Sequence, residues 1–155
     1  VARAKFEIAE AAFARGGKVV VNCAGIEDRL LDERMAAVKG PYTLVGKGRD
    51  VSFDGFDATK EGLVVHVTEG GKKHALKAPL YGRHQAGNIA LAAATARALG
   101  LPWAAIKGAL ASMPQIRHRL EVSHSAGQPT LINDAYNSNP VGFAAALETL
   151  DVLVE

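Results

Sequence analysis

The sequence holds a single cysteine, Cys23, among its 155 residues. One thiol excludes an internal disulfide and cannot build a thiolate metal cage, so Cys23 reads as a small apolar residue just behind a strand. No run of about eighteen apolar residues occurs, and the start lacks the charge, apolar stretch and small-residue cleavage site of a secretory signal. A cytoplasmic protein without membrane insertion is the expectation. Charge of one sign is also scarce. The chain has 18 Lys and Arg against 16 Asp and Glu, a formal net charge of +2, and the cations are scattered instead of striped, which gives no footprint for nucleic acid. No Ser-His-Asp, Cys-His or zinc-ligand spacing is present. Nor is there a Gly-x-x-x-x-Gly-Lys-(Ser/Thr) phosphate loop. Gly46-Lys47-Gly48 has neither that spacing nor a following helix, and reads as a glycine turn between strands.

What remains is a core-forming composition, 48% hydrophobic and 22% charged, of a length that suits one ordinary domain. Phe6, Ala9 and Phe13 recur at helical spacing over residues 2–14, with Gly16-Gly17 as a stop. Lys18–Asn22 reads as a strand. Ile26–Val38 reads as a helix that turns Ile26, Leu30 and Ala37 inward. From Tyr42 to Leu80 the pattern changes to short alternating runs, Val51–Asp54, Leu63–Val67 and His74–Lys77, which predict a small antiparallel sheet or hairpin set with His66 and His74 on its solvent face. A helix over Asn88–Leu99 follows, with Ile89, Ala92, Ala93, Ala96 and Leu99 as its apolar stripe. A second runs from Pro102 with Trp103, Ile106, Leu110 and Met113 inside, until Pro114 breaks the pattern. Arg119–Ser123 and Thr130–Ile132 read as strands, and Phe143, Leu147, Leu150 and Val154 mark a last helix. The break at Met113-Pro114 divides the chain into residues 1–114 and 115–155, the second too short to cover its own helix face and sheet edge.

The polar groups concentrate between Leu131 and Pro140, where an apolar run ends in a dense turn. Pro140 suits the first position of a helix and Asn139 its N-cap, and ligands of open α/β sheets sit where a strand's carboxyl end meets a helix start. The plain alternative is that Asp134 and Asn137 only form Asx turns while Asn139 caps. Asn88 admits two readings as well, a cap of the helix it opens or a ligand contact. Arg119 has a fork that suits phosphate oxygens, or it pairs with Glu121 along a surface strand. His84, four residues before Asn88, reads as a hydrogen-bonding scaffold. Lys5, between Arg3 and Glu7, suits an exposed helix face.

Asp134-Ala135-Tyr136-Asn137-Ser138-Asn139-Pro140 resembles a segment of the Mur ligase family, in the branch that adds D-alanyl-D-alanine to the cell-wall precursor. Gly82-Arg83-His84-Gln85-Ala86-Gly87-Asn88 resembles the family's Gly-x-His-Asn-x-x-Asn segment, with Gln85 in place of the first Asn. Ala2–Ile8 followed by Val19–Asn22 resembles its Ala-Lys-x-Glu-Ile helix and Val-x-Asn-Ala-Asp-Asp strand, although Cys23-Ala24-Gly25 replaces the acidic pair. The resemblance implies an α/β fold: the second half of a central ATPase domain, a parallel sheet with helices plus a small antiparallel sheet, over residues 1–114, then the start of a Rossmann-like C-terminal domain over 115–155. The phosphate loop would precede the segment matching Lys5, so an internal piece of a longer ligase chain is expected, lacking roughly the first half and the end.

The chemistry so implied is ATP-dependent amide formation between UDP-N-acetylmuramoyl-tripeptide and D-alanyl-D-alanine through an acyl phosphate, with ATP and Mg2+ as cofactors. By resemblance, Lys5 is the catalytic lysine whose carbamate helps hold magnesium. Asn88 lies near the adenine, Arg119 meets the nucleotide phosphates or ribose, and Asp134 accepts the ribose hydroxyls. Tyr136, Asn137 and Asn139 shape the dipeptide side of the cleft. Two alternatives stand beside this reading: another Mur-like ligase such as a folylpolyglutamate synthase, and a non-catalytic α/β binding module.

Overall fold

The computed structural model describes residues 2–125, 127–136 and 139–154. Its centre is one mixed sheet of five strands in the order β1-β2-β3-β4-β5. β1 (Val19–Asn22) and β2 (Tyr42–Val45) pair in parallel, joined through α2 (Asp28–Ala37). β3 (Val51–Thr59) continues the parallel set through the single pair Val45 and Val51, then turns into an antiparallel meander with β4 (Gly62–Glu69) and β5 (Lys72–Ala78). The expected small antiparallel sheet or hairpin set is this meander, joined to the parallel strands at one edge.

Alternation along β4 sends Leu63, Val65 and Val67 to one face, where they are buried together with Val45, Val51 and Leu76. On that face lies α3 (Arg83–Ala98), whose Ala86, Ile89, Ala90, Ala93 and Ala94 are buried. Small side chains let the helix approach the sheet closely. α4 (Trp103–Ala111) closes the layer through Ile106. Each fully buried Val or Leu of this core contributes roughly 1.5–3 kcal/mol. On the other flank, α1 (Ala2–Phe13) buries Ala9 and sets Phe13 edge-on against the Tyr42 ring at 4.9 Å.

After Pro114 a second, two-stranded antiparallel sheet forms from β6 (Glu121–Ser123) and β7 (Leu131–Asn133), followed by α5 (Pro140–Val154). Tyr81, Leu120, Val122 and Ala145 make a second small core there.

Several expectations are corrected. α2 starts at Asp28 and buries Leu31, while Leu30 is half-buried and Ala37 exposed. α3 begins five residues before Asn88, because Gly82, at φ 87°, turns the chain straight into the helix. Asn88 thus sits in the second turn and is not its cap, Ala92 is exposed, and Leu99 is an exposed C-cap. His74 is half-buried, its ring stacked on Trp103 at 4.1 Å. Arg119 precedes β6 and is not a strand residue. The last helix forms where expected, as α5; its markers Phe143, Leu147, Leu150 and Val154 are exposed, and Ala145 and Thr149 are the buried side.

Candidate functional site

The second small core fixes the backbone around Arg119. Leu120 is 2% exposed and adopts φ 48°, and His118 adopts φ 61°. Side chains other than glycine rarely hold such angles without support. The support is local. Glu121 Oε2 accepts the His118 N–H at 3.1 Å, the Asn133 amide meets His118 Nδ1 at 3.0 Å, and Asp134 Oδ1 accepts the Leu120 N–H at 3.1 Å. The Tyr136 N–H donates to the His118 carbonyl at 3.0 Å. With the turn held this way, the Arg119 guanidinium lies 4.0 Å from the centre of the Tyr136 ring, a cation–π contact.

The loop after β7 is organised differently from the Asx-turn expectation. Asn133, not Asp134, makes the Asx turn, to the Ala135 N–H at 3.3 Å. Asn139 is the expected N-cap of α5: its Oδ1 accepts the Gly142 N–H at 2.9 Å. A methyl group built on Gly142 would stand 3.6 Å from Asp134 Oδ2, so this carboxylate lies beside the amino end of α5, where the helix dipole favours negative charge.

These groups face one open cleft of about 440 Å3, lined by Arg83 and His84 from the start of α3, by Arg119, Asp134 and Tyr136, and by Asn139, Ala145 and Glu148 around α5. Arg83 Nε donates to Glu148 Oε2 at 3.0 Å. Two guanidinium groups, two carboxylates, an imidazole and a phenol ring suit a ligand that carries both anionic groups and hydroxyls.

Four of the sequence candidates, Arg119, Asp134, Tyr136 and Asn139, thus come together. Asn137 lies outside the described residues. Asn88 is exposed and donates to Gln85 Oε1 at 3.0 Å, and Lys5 is exposed on α1; neither lines the cleft. His84 is exposed at the cleft wall and forms no hydrogen bond of its side chain among the described residues, so it is not the scaffold expected. Arg83 and Glu148 went unrecognised in the sequence as site residues. The signal for Glu148 was its place as one of only two acids, with Asp151, in a largely apolar helix.

A second cleft, of about 620 Å3, opens at the carboxyl ends of β1 and β2 and includes Asn22, Cys23, Asp28, Arg49 and the glycine turn Gly46-Lys47-Gly48. Its polar groups are largely engaged with one another: Arg49 pairs with Asp28, and Asn22 Oδ1 accepts the Ala24 N–H. Burial pushes the Cys23 thiol up, against a smaller opposing pull from Arg49. Among the described residues no three His, Cys, Asp or Glu side chains gather into a metal-binding group, and no helix is long and apolar enough to cross a membrane.

No family model matches the chain. A UDP-N-acetylmuramoyl-tripeptide–D-alanyl-D-alanine ligase of Mycobacterium leprae is 28% identical over 163 residues, covering 97% of this chain and 31% of that protein. A UDP-N-acetylmuramate–L-alanine ligase of Syntrophobacter fumaroxidans is 29% identical over 129 residues, covering 81% of this chain and 27% of that one. Among solved structures, MurF from Acinetobacter baumannii superposes with a TM-score of 0.74 at 25% identity, over 88% of this chain and 29% of its own. Mycobacterium tuberculosis folylpolyglutamate synthase complexed with ADP gives 0.61 at 26%, over 79% of this chain and 27% of its own. The chain spans less than a third of the length of each of these proteins. Likeness in sequence and in fold supports the Mur ligase family for this chain.

Proposed function

We propose that the chain forms part of the ligand-binding region of an ATP-dependent ligase that joins D-alanyl-D-alanine to UDP-N-acetylmuramoyl-tripeptide. The observation that carries this reading is the convergence of Arg119, Asp134, Tyr136 and Asn139 on one cleft. In the proposed reaction the γ-phosphoryl group of ATP passes to a carboxylate oxygen of the tripeptide and ADP leaves. The dipeptide amine then attacks the acyl carbon, phosphate departs, and the amine gives up a proton. Such transfers depend on positioning and charge stabilisation more than on covalent help from the protein.

Arg119, braced on Tyr136, is the proposed phosphate ligand. Asp134 spends one oxygen on Leu120 and keeps the other for ribose hydroxyls, while Tyr136, Asn139 and Asn137 border the dipeptide. Asn88, four residues beyond His84 on the same helix, is the proposed adenine contact. The proposed division into a partial central domain, 1–114, and the start of a C-terminal domain, 115–155, draws support from the change of sheet after Pro114. A carbamylated Lys5 would offer Mg2+ one oxygen ligand. The described residues do not by themselves build a site for that ion.

The folylpolyglutamate synthase likeness supports a second substrate class for the same nucleotide-binding arrangement. Against it stands the wording of Tyr136–Pro140. The test is phosphate release by the full-length gene product with Mg-ATP and UDP-N-acetylmuramoyl-tripeptide, comparing D-alanyl-D-alanine with L-alanine, D-glutamate and L-glutamate, each with its own acceptor. Release only with the dipeptide is expected; release with another amine and not the dipeptide overturns the substrate assignment.

A further inference from the structure

We infer that Arg83 is a second anion-binding guanidinium of the cleft and that Glu148 masks it, an internal carboxylate that a phosphate-bearing ligand must displace. The inference rests on the reading of this cleft as a nucleotide site. Arg83 is the first residue of α3 and lines the cleft together with Arg119 and Asp134. Its Nε–H is committed to Glu148 Oε2 at 3.0 Å, across 65 positions of sequence. Among the described residues its side chain makes no other hydrogen bond, which leaves the two terminal NH2 groups of the fork as donors. Glu148 has no other partner there either.

The two side chains are 67% and 49% exposed. An ion pair so open to water adds little to stability, so exchanging its partner costs little. The charges of the wall explain why the exchange matters. Arg83 and Arg119 are cancelled by Asp134 and Glu148, and a di- or triphosphate entering a wall of zero net charge gains little from the field. Asp134 is engaged by the Leu120 N–H, whereas Glu148 serves only to neutralise Arg83. Swinging Glu148 aside leaves the wall one unit positive and frees a second fork for phosphate oxygens. The same exchange undoes the side-chain tie between α3 and α5. Phosphate binding and release of this tie are therefore one event.

The experiment measures ADP and adenosine affinity calorimetrically for the 155-residue chain and for Glu148→Gln, Arg83→Gln and the double variant. Glu148→Gln is expected to bind ADP roughly three- to tenfold more tightly than the parent, with adenosine unchanged. Arg83→Gln should bind ADP more weakly, and the double variant should lose the gain. In the parent, ADP should shift the Arg83 Nε–H resonance in NMR spectra and adenosine should not, a readout that needs no variant. Equal or weaker ADP binding by Glu148→Gln, a gain that survives in the double variant, or an unmoved Arg83 resonance overturns the inference. Loss of ADP binding in Arg119→Gln and Asp134→Asn would show that the nucleotide reading stands even then; no ADP binding by the parent removes both.

Discussion

Asp134 separates ligand binding from folding more cleanly than any other residue of the cleft. Its Oδ1 accepts the N–H of Leu120, a residue only 2% exposed and held at φ 48°. Asp134→Ala removes that acceptor from a half-buried amide. Leaving such a group unpaired costs about 1–3 kcal/mol, and in a chain of this size each kcal/mol lowers the melting temperature by about 2–4 °C. Asp134→Asn keeps a carbonyl oxygen for Leu120 and forgoes only the favourable charge beside the α5 terminus, about 0.3–1 kcal/mol. The Ala variant should therefore melt several degrees below the Asn variant. For ADP the two should behave alike, because both lose the anionic acceptor proposed for the ribose hydroxyls. A charge-assisted hydrogen bond of roughly 1.5–3 kcal/mol corresponds to a loss of about ten- to 150-fold in affinity. Scanning calorimetry and ADP titration on the same samples test both halves. If both variants melt lower and bind ADP like the parent, Asp134 is a structural residue of the turn and the nucleotide role is refuted.

A side chain at Gly82 would require φ 87° and would run into Leu120 Cδ1 and the His84 ring; Gly82→Ala should cost about 2–4 kcal/mol in urea unfolding, and an unchanged midpoint would show that the start of α3 can shift freely. Burial first, then the Lys107 charge, hold the His74 imidazole below its ordinary pKa on the Trp103 ring. The unfolded chain therefore takes up this proton at higher pH than the folded one, so the stability it contributes is present above about pH 6.5 and is lost as pH falls towards the lower folded value. Thermal melts should show a loss in that window that is absent in His74→Phe; an identical profile for the variant would exclude His74 as its source. For Lys5, labelled bicarbonate should give a carbamate carbon resonance that disappears in Lys5→Arg, with little change in melting temperature because the residue is exposed; the same resonance in the variant would remove Lys5 from the proposal.

The elements that were legible in the sequence are those whose signals are local. Gly16-Gly17 stops α1, Pro140 and Asn139 open α5, and the alternation of Leu63–Val67 places three residues on one buried face. What escaped depended on partners distant in sequence. One pair, Val45 with Val51, fuses the meander to the parallel strands, and no periodicity announces it. The helix expected from Asn88 begins at Arg83, and Gln85 is 6% exposed inside it. Its amide is made tolerable there by the hydrogen bond from Asn88.

The buried face of α5 has a related cause, and it bears on the cleft. Apolar bulk marks this helix through Phe143, Leu147, Leu150 and Val154, yet all four are at least 41% exposed. Contact with Tyr81 and Leu120 instead selects what is small, Ala145, and a hydroxyl that can bond its own helix, Thr149, whose Oγ1 donates to the Ala145 carbonyl at 2.8 Å. Close approach on that side is what brings Glu148 within reach of Arg83 and keeps Asp134 beside the first turn of the helix. A bulky residue at position 145 would push α5 outward and widen the cleft before it touched any polar group in it. The site's geometry therefore depends on an alanine that no chemical motif would single out.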